Sequence, residues 1–420
     1  MCRAPPVGER RNGGKGRTGA VLKIGDRVGT LIGDVAFGGD GVGRVGDCVL
    51  FVPFTVDGDE VEVEITEVKK RYGRGRLLRI VSPSVHRVAP PCPYYGRCGG
   101  CRMQHIAYVH QLEIKRRQVE QAFRRIAKLT PPPVSSVIPS PRPYGYRGKA
   151  EFHLAEGRGG LRLGLMALAS NDLVEVEQCG ICDDSLNRKL GEFRESLLRG
   201  EVPVEGDRQT IWSDEPGEPP VGVATGSGKI PDVTRIVRGK RLTVPYRGFF
   251  QANIALIGAL VDQVSGMCAL SGGETVVDAY GGAGLFSLFL GERAGRLFGI
   301  EGDREAVRCA GINLRREGLT QAEFFSGDVA DVLDREFVGQ KMKADVLVLD
   351  PPRDGCGGEV VEKVAAIGPA RIVYVSCNPA TQARDIRRLA ESGYALRRLQ
   401  PLDMFPQTAH IEVVALLTRG

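Results

Sequence analysis

The run "VYVSCNPAT" places Cys377 directly behind a continuous apolar stretch and two residues ahead of Pro379. Such a stretch reads as a strand buried on both faces. Proline is at home in the first turn of a helix, so Cys377 is expected at a strand-to-helix turn, where the helix dipole favours a thiolate. A thiol in that place is a candidate nucleophile. Cys356, in "DPPRDGCGG", follows the preceding strand-like run and is the rival thiol. Three carboxylates come at matching places: Glu301 ends "RLFGIE", Asp328 follows "AEFFSG" and Asp350 ends "ADVLVLD". The carboxyl ends of parallel strands line the ligand crevice of an open α/β sheet. Ahead of them, "VVDAYGGAGLFS" reads as strand, glycine-rich turn and helix start, with Gly282 and Gly284 able to bring backbone close to a ligand. Ser287 occupies the place of the third glycine of a dinucleotide fingerprint. The turn with Glu301 fits a dinucleotide or S-adenosylmethionine. The further carboxylates favour S-adenosylmethionine.

A second kind of chemistry lies in "CPYYGRCGGC", residues 92–101, which holds Cys92, Cys98 and Cys101. A chain of 420 residues needs no covalent staple to build a core. The spacing is compatible with zinc or with an iron–sulfur cluster, and by itself it favours zinc. A further pair of thiols sits in "EQCGICD".

The elements that must hold these groups can be read from patterning. Residues 1–20 are rich in glycine and arginine without apolar periodicity, which predicts a disordered basic tail. In residues 21–83, Val61, Val63 and Ile65 alternate with Glu60, Glu62 and Glu64 as in a half-buried strand. With the glycine-rich turns nearby, this predicts a small five-stranded barrel of the oligonucleotide-binding kind. Residues 84–245 are expected to form a central α+β domain with a helix over roughly 105–128. Residues 246–420 alternate apolar strand-like runs with helical patterns and predict a doubly wound, Rossmann-like domain. The fold class is therefore multidomain α/β.

No run reaches the about 18–20 apolar residues of a membrane span, and the N-terminus lacks the apolar core of an export signal. A cytoplasmic location is expected, where thiols stay reduced. Formal net charge is +6. The stretch "KKRYGRGRLLR" (69–79) has six basic residues and no acidic one, and Lys115, Arg116, Arg117, Arg124, Arg125 and Lys128 gather on the expected helix. These runs predict contact with nucleic-acid phosphates.

Taken in order, "FFQAN" (249–253), "DAYGGAGLF", "DPPRDG", "VSCNPAT" and "FPQTAHIE" (405–412) resemble the motifs of RNA uridine-C5 methyltransferases. "CPYYGRCGGCRMQH" resembles that family's iron–sulfur motif, and residues 21–83 its TRAM domain. The resemblance covers nearly the whole chain. It implies S-adenosylmethionine-dependent methylation of uridine C5, with ribosomal RNA of the large subunit favoured over transfer RNA, by a monomer. It implies Cys377 as nucleophile and Glu412 as base, with Gln251, Tyr280, Glu301, Asp328 and Asp350 holding the cofactor. It also turns the metal preference from zinc to a 4Fe-4S cluster on Cys92, Cys98, Cys101 and Cys179, with Cys182 as substitute and His105 less favoured. Two departures stand out. Gly281 occupies a place where relatives commonly have cysteine, and Asp328 stands where some have an amide. RNA cytosine-C5 methylation is the rival chemistry, and an iron–sulfur RNA-binding or redox-sensing protein the rival without catalysis.

Overall fold

The alternation of valine and glutamate in residues 60–68 becomes one wall of a closed barrel. The computed structural model describes residues 3–4, 20–157, 160–168, 170–202, 206–225 and 230–420. The expected basic tail lies mostly outside the described residues, although Arg3–Ala4 pairs with Ala20–Val21. Two compact units are formed. One comprises residues 1–118, 166–172 and 407–409; the other comprises 119–165, 173–406 and 410–420. Among the described residues, no helix is long and apolar enough to cross a membrane.

In the first unit the barrel strands run in the order Arg27–Val35, Gly41–Val45, Cys48–Val52, Tyr72–Ser82 and Glu60–Val68. Closure leaves no exposed sheet edge. Val28, Ile32, Leu50, Val52, Val61, Val63 and Ile65 fill the interior. The outward arginines of the basic run meet glutamates of the neighbouring strand. The register sets Arg79 against Glu62, Arg76 against Glu64 and Arg74 against Glu67. The side chains pair at 2.7, 2.5 and 3.5 Å respectively. The expected helix spans Tyr108–Ala122 and continues in wider turns over Phe123–Ala127. Its cations are also engaged: Lys115 is fully buried, Arg116 pairs with Glu113 and Arg117 with Asp57.

The second unit holds a seven-stranded sheet made of β1 (Thr275–Ala279), β2 (Arg296–Glu301), β3 (Ala322–Ser326), β4 (Val346–Leu349), β5 (Arg371–Ser376), β6 (Tyr394–Leu402) and β7 (Glu412–Arg419). Their order is β3-β2-β1-β4-β5-β7-β6. The first five strands of that order are parallel, and β7 runs antiparallel between β5 and β6. Val276, Val277, Leu347, Val348, Val373 and Val375 are almost fully buried, as continuous apolar strands covered on both faces must be. After β1 the chain builds outward to β3 and then returns to lay β4 on the other side. That reversal opens a crevice at the carboxyl ends of β1 and β4.

Candidate active site

Register gathers the crevice carboxylates. Ala279 pairs with Ile300 of β2 and with Leu349 of β4, so Tyr280, Glu301 and Asp350 meet at one edge. The chain turns there through left-handed backbone at Tyr280 (φ 63°), Gly282 (φ 55°) and Gly284 (φ 85°). For a tyrosine that conformation is unusual and marks a site under local constraint. The N–H groups of Gly282 and Asp303 donate to the two oxygens of Glu301 at 2.9 and 2.8 Å, fixing its carboxylate. A Cβ on Gly282 would meet nothing within 4 Å, so the turn leaves open space beside Glu301.

Asp278 lies under this turn, fully buried. One oxygen accepts from the Ser287 N–H (3.0 Å) and hydroxyl (2.6 Å), while the other has no partner. Burial, and then the charge of Glu301, push it up to about 6. Burial, then Asp278 and Glu301, push Asp350 up to about 7. A crevice that disfavours its own negative charges suits a cationic ligand, and the sulfonium of S-adenosylmethionine is one. The residues present therefore fit that cofactor. Gln251 is buried on the segment leading to the helix Ile257–Cys268. Asp328 caps the short helix Val329–Val332, accepting from the N–H groups of Ala330 and Asp331.

Cys377 stands one residue past β5, and Glu412 is the first residue of β7. Because Ser376 pairs with Val413, the antiparallel register brings the two side by side. Glu412 is 3% exposed. Burial, and then Asp350, hold its carboxyl well above the usual range. The Cys377 thiol is pushed up to about 11, by burial first and then by Glu412. The expected benefit of the helix dipole is outweighed. It is Asn378 that caps the helix Pro379–Glu391, through a hydrogen bond from the Ala380 N–H.

One cation faces this pair and was missed in the sequence. The charge of the Arg353 guanidinium acts on the Cys377 thiol in the lowering direction, against burial and Glu412. The same guanidinium donates to the His410 ring at 3.2 Å. The Arg353 carbonyl accepts from Asn378 Nδ2 (3.2 Å) and Thr381 Oγ1 (3.1 Å), both on the turn that carries Cys377. The arginine directly after "DPP" was the available signal. The rival Cys356 is buried, and its N–H donates to Asp385 at 3.0 Å. Burial pushes its thiol up to about 12.

The cysteines of the first motif are half-buried. The Gly100 N–H donates to Cys98 Sγ at 3.4 Å. His105 is buried, with Nδ1 2.6 Å from the Tyr95 hydroxyl. In the second unit, Asn187 ties the turn at Cys179 to the helix Asp184–Leu198 by bonds to the Cys179 N–H and carbonyl. The Cys182 thiol hydrogen-bonds Cys179, whose own thiol comes down to about 6. The donor chemistry suits an iron–sulfur centre, yet among the described residues no three ligand side chains converge as a metal site.

Residues 237–420 match the family described as tRNA (Uracil-5-)-methyltransferase, and residues 22–78 match the TRAM domain. An uncharacterized RNA methyltransferase of Halalkalibacterium halodurans is 34% identical, covering 95% of this chain and 98% of that one. Another, from Clostridium tetani, is 31% identical over 90% and 94%. Among solved structures, the Pyrococcus abyssi tRNA (uracil-54, C5)-methyltransferase in complex with S-adenosyl-L-homocysteine superposes with a TM-score of 0.70 at 25% identity, covering 93% of this chain and 100% of that one. These likenesses show that the chain belongs to the RNA uracil-C5 methyltransferase family, enzymes dependent on S-adenosylmethionine, and carries a TRAM domain.

Proposed function

We propose that the protein methylates a uridine at C5 in RNA through a covalent bond between Cys377 and C6. The observation that carries this reading is the placement of a half-exposed thiol beside a buried carboxyl at the edge of the cofactor crevice. Uracil C5 is a weak nucleophile. Attack of the Cys377 thiolate at C6 forms the C–S bond and moves the C5=C6 electron pair toward O4, which makes C5 nucleophilic. S-adenosylmethionine in the crevice supplies an electrophilic methyl group. Glu412 then takes the C5 proton, the C5=C6 bond re-forms, and Cys377 leaves as thiolate. A base stacked in folded RNA must be turned out to reach this site. Gln251, Tyr280, Gly282, Glu301, Asp328 and Asp350 are assigned to the cofactor.

We assign large-subunit ribosomal RNA as the substrate, supported by the combination of barrel and clustered cysteines. Transfer RNA is the second reading, favoured by the likeness to the Pyrococcus abyssi enzyme. Mapping of 5-methyluridine in both RNA classes from a deletion strain distinguishes them. Loss from transfer RNA alone would overturn the first assignment. Cys92, Cys98, Cys101 and Cys179 are proposed to hold a 4Fe-4S cluster with a structural role. Zinc in place of iron and sulfide in anaerobically purified protein would refute it. Functionally, the parts are residues 21–83, 84–245 and 246–420, and the site of action is the cytoplasm.

A further inference from the structure

We propose that Gln111 and Gln407 are positioning residues for Glu412, their paired amides anchoring the loop that ends at the base. The inference rests on the reading of Glu412 as the base and adds what sets its place. Leu402, the last residue of β6, pairs directly with Glu412, the first of β7. A short hairpin could join two strands so placed. Instead residues 403–411 make an excursion, and its tip, 407–409, packs as part of the first unit. Loop tips are ordinarily exposed. Here Gln407, Thr408 and Ala409 are all buried.

The anchor is made of directed hydrogen bonds. The Gln407 carbonyl accepts from the N–H groups of Arg102 and Met103 at 3.0 and 2.9 Å, in the turn that closes the cysteine motif. Its N–H donates to Gln111 Oε1 at 3.1 Å, and its Oε1 accepts from Gln111 Nε2 at 2.9 Å. Gln111 is fully buried on the helix Tyr108–Ala122. The same Nε2 also donates to the Met103 and Ile106 carbonyls at 3.1 and 2.9 Å, so one amide ties the loop to the turn. Gln407 has left-handed backbone, φ 66°, which for a residue with a Cβ persists only where its surroundings over-determine it. The barrel turn at Gly39 lies over the tip, for a Cβ there would meet the Ala409 Cβ at 3.5 Å. His410 and Ile411 alone separate the anchored tip from Glu412. A tether that short passes a slip of the tip to the carboxyl, and proton transfer falls off steeply with misplacement. Amides do not titrate, so this pair places the base and moves no proton.

Because Glu412 acts after methyl transfer, the signature of a displaced base is a methylated adduct that resolves slowly. The full-length protein is incubated with RNA extracted from a deletion strain and with S-adenosylmethionine labelled on its methyl group. A denaturing gel then separates protein-bound from free labelled RNA over time. Gln111→Met keeps the bulk of the side chain and removes its amide. First-turnover methyl transfer in this variant is expected within about twofold of the unaltered protein, whereas release of methylated RNA slows about tenfold and bound label accumulates. Gln407→Gly keeps both backbone contacts of residue 407 and accepts left-handed backbone. It should slow release less, in the same direction, and it carries the test alone if Gln111→Met does not fold. Retained S-adenosylmethionine binding is the control for folding. Release at the unaltered rate overturns the proposal. So does loss of methyl transfer without bound label in folded, cofactor-binding protein, which marks the pair as structural only. The reading of Glu412 itself fails by a different result, namely a Glu412→Gln variant that accumulates no bound label.

Discussion

The pairing of Ser376 with Val413 brings the Cys377 thiol and the Glu412 carboxyl together at the end of two antiparallel strands. The carboxyl opposes ionisation of the thiol, and it is itself raised by burial and by Asp350. The carboxyl at this place makes the thiol less acidic. Replacing Glu412 with glutamine removes the negative neighbour and keeps the shape. In alkaline solution, Glu412→Gln is therefore expected to speed alkylation of Cys377 severalfold at a given pH. Slower alkylation would contradict the electrostatic account.

The crevice carboxylates make a prediction about the cofactor. Asp278 and Asp350 are pushed up to about 6 and about 7, above the ordinary aspartate value. A raised carboxyl stabilises the fold fully at low pH, and that contribution is lost as pH rises through the folded-state value. For Asp278, a shift from 3.8 to about 6 corresponds to on the order of 3 kcal/mol lost from about pH 4 to 6. Cofactor-free protein should lose stability across that window. A sulfonium cation offsets the negative charge, whereas the neutral thioether product does not. Calorimetry should show S-adenosylmethionine gaining affinity between about pH 5 and pH 8 relative to S-adenosylhomocysteine. Parallel pH dependences would contradict this.

Cys356 is buried beside Tyr374 and Asp385, with its thiol pushed up to about 12. Cys356→Ala should leave covalent adduct formation with RNA unchanged and lower stability by about 1 kcal/mol. Disappearance of the adduct in this variant would move the nucleophile.

On the barrel, Glu62 and Glu64 neutralise Arg79 and Arg76. The double change Glu62→Gln, Glu64→Gln should free both cations. Non-specific RNA affinity is expected to rise and its logarithmic salt slope to steepen by up to about 0.7 for each phosphate newly contacted. An unchanged slope would place this wall of the barrel away from the RNA.

The strands that carry the site were readable because sheets covered on both faces leave continuous apolar runs, and Glu301, Asp350 and Cys377 fall at their ends. The partnership of Cys377 and Glu412 was not readable from strand patterns. It depends on β7 returning antiparallel beside β5, and the family likeness supplied it. The contact between Arg353 and His410 depends on that same return, since His410 lies just ahead of β7. The acidic partners of the basic run 69–79 were not readable for a related reason. A single strand does not display the glutamates of its neighbour, and only the register revealed them. Asp328 carried a local signal that was overlooked, an aspartate directly ahead of a short helix.

The most direct test of the account is a denaturing gel of labelled RNA incubated with S-adenosylmethionine and each of two variants. Cys377→Ala should give neither methylation nor a covalent band. Glu412→Gln should still add to C6 and transfer methyl, yet retain the C5 proton, so that methylated RNA accumulates bound to protein. A covalent band that survives Cys377→Ala, or no band with folded, cofactor-binding Glu412→Gln, would contradict the account.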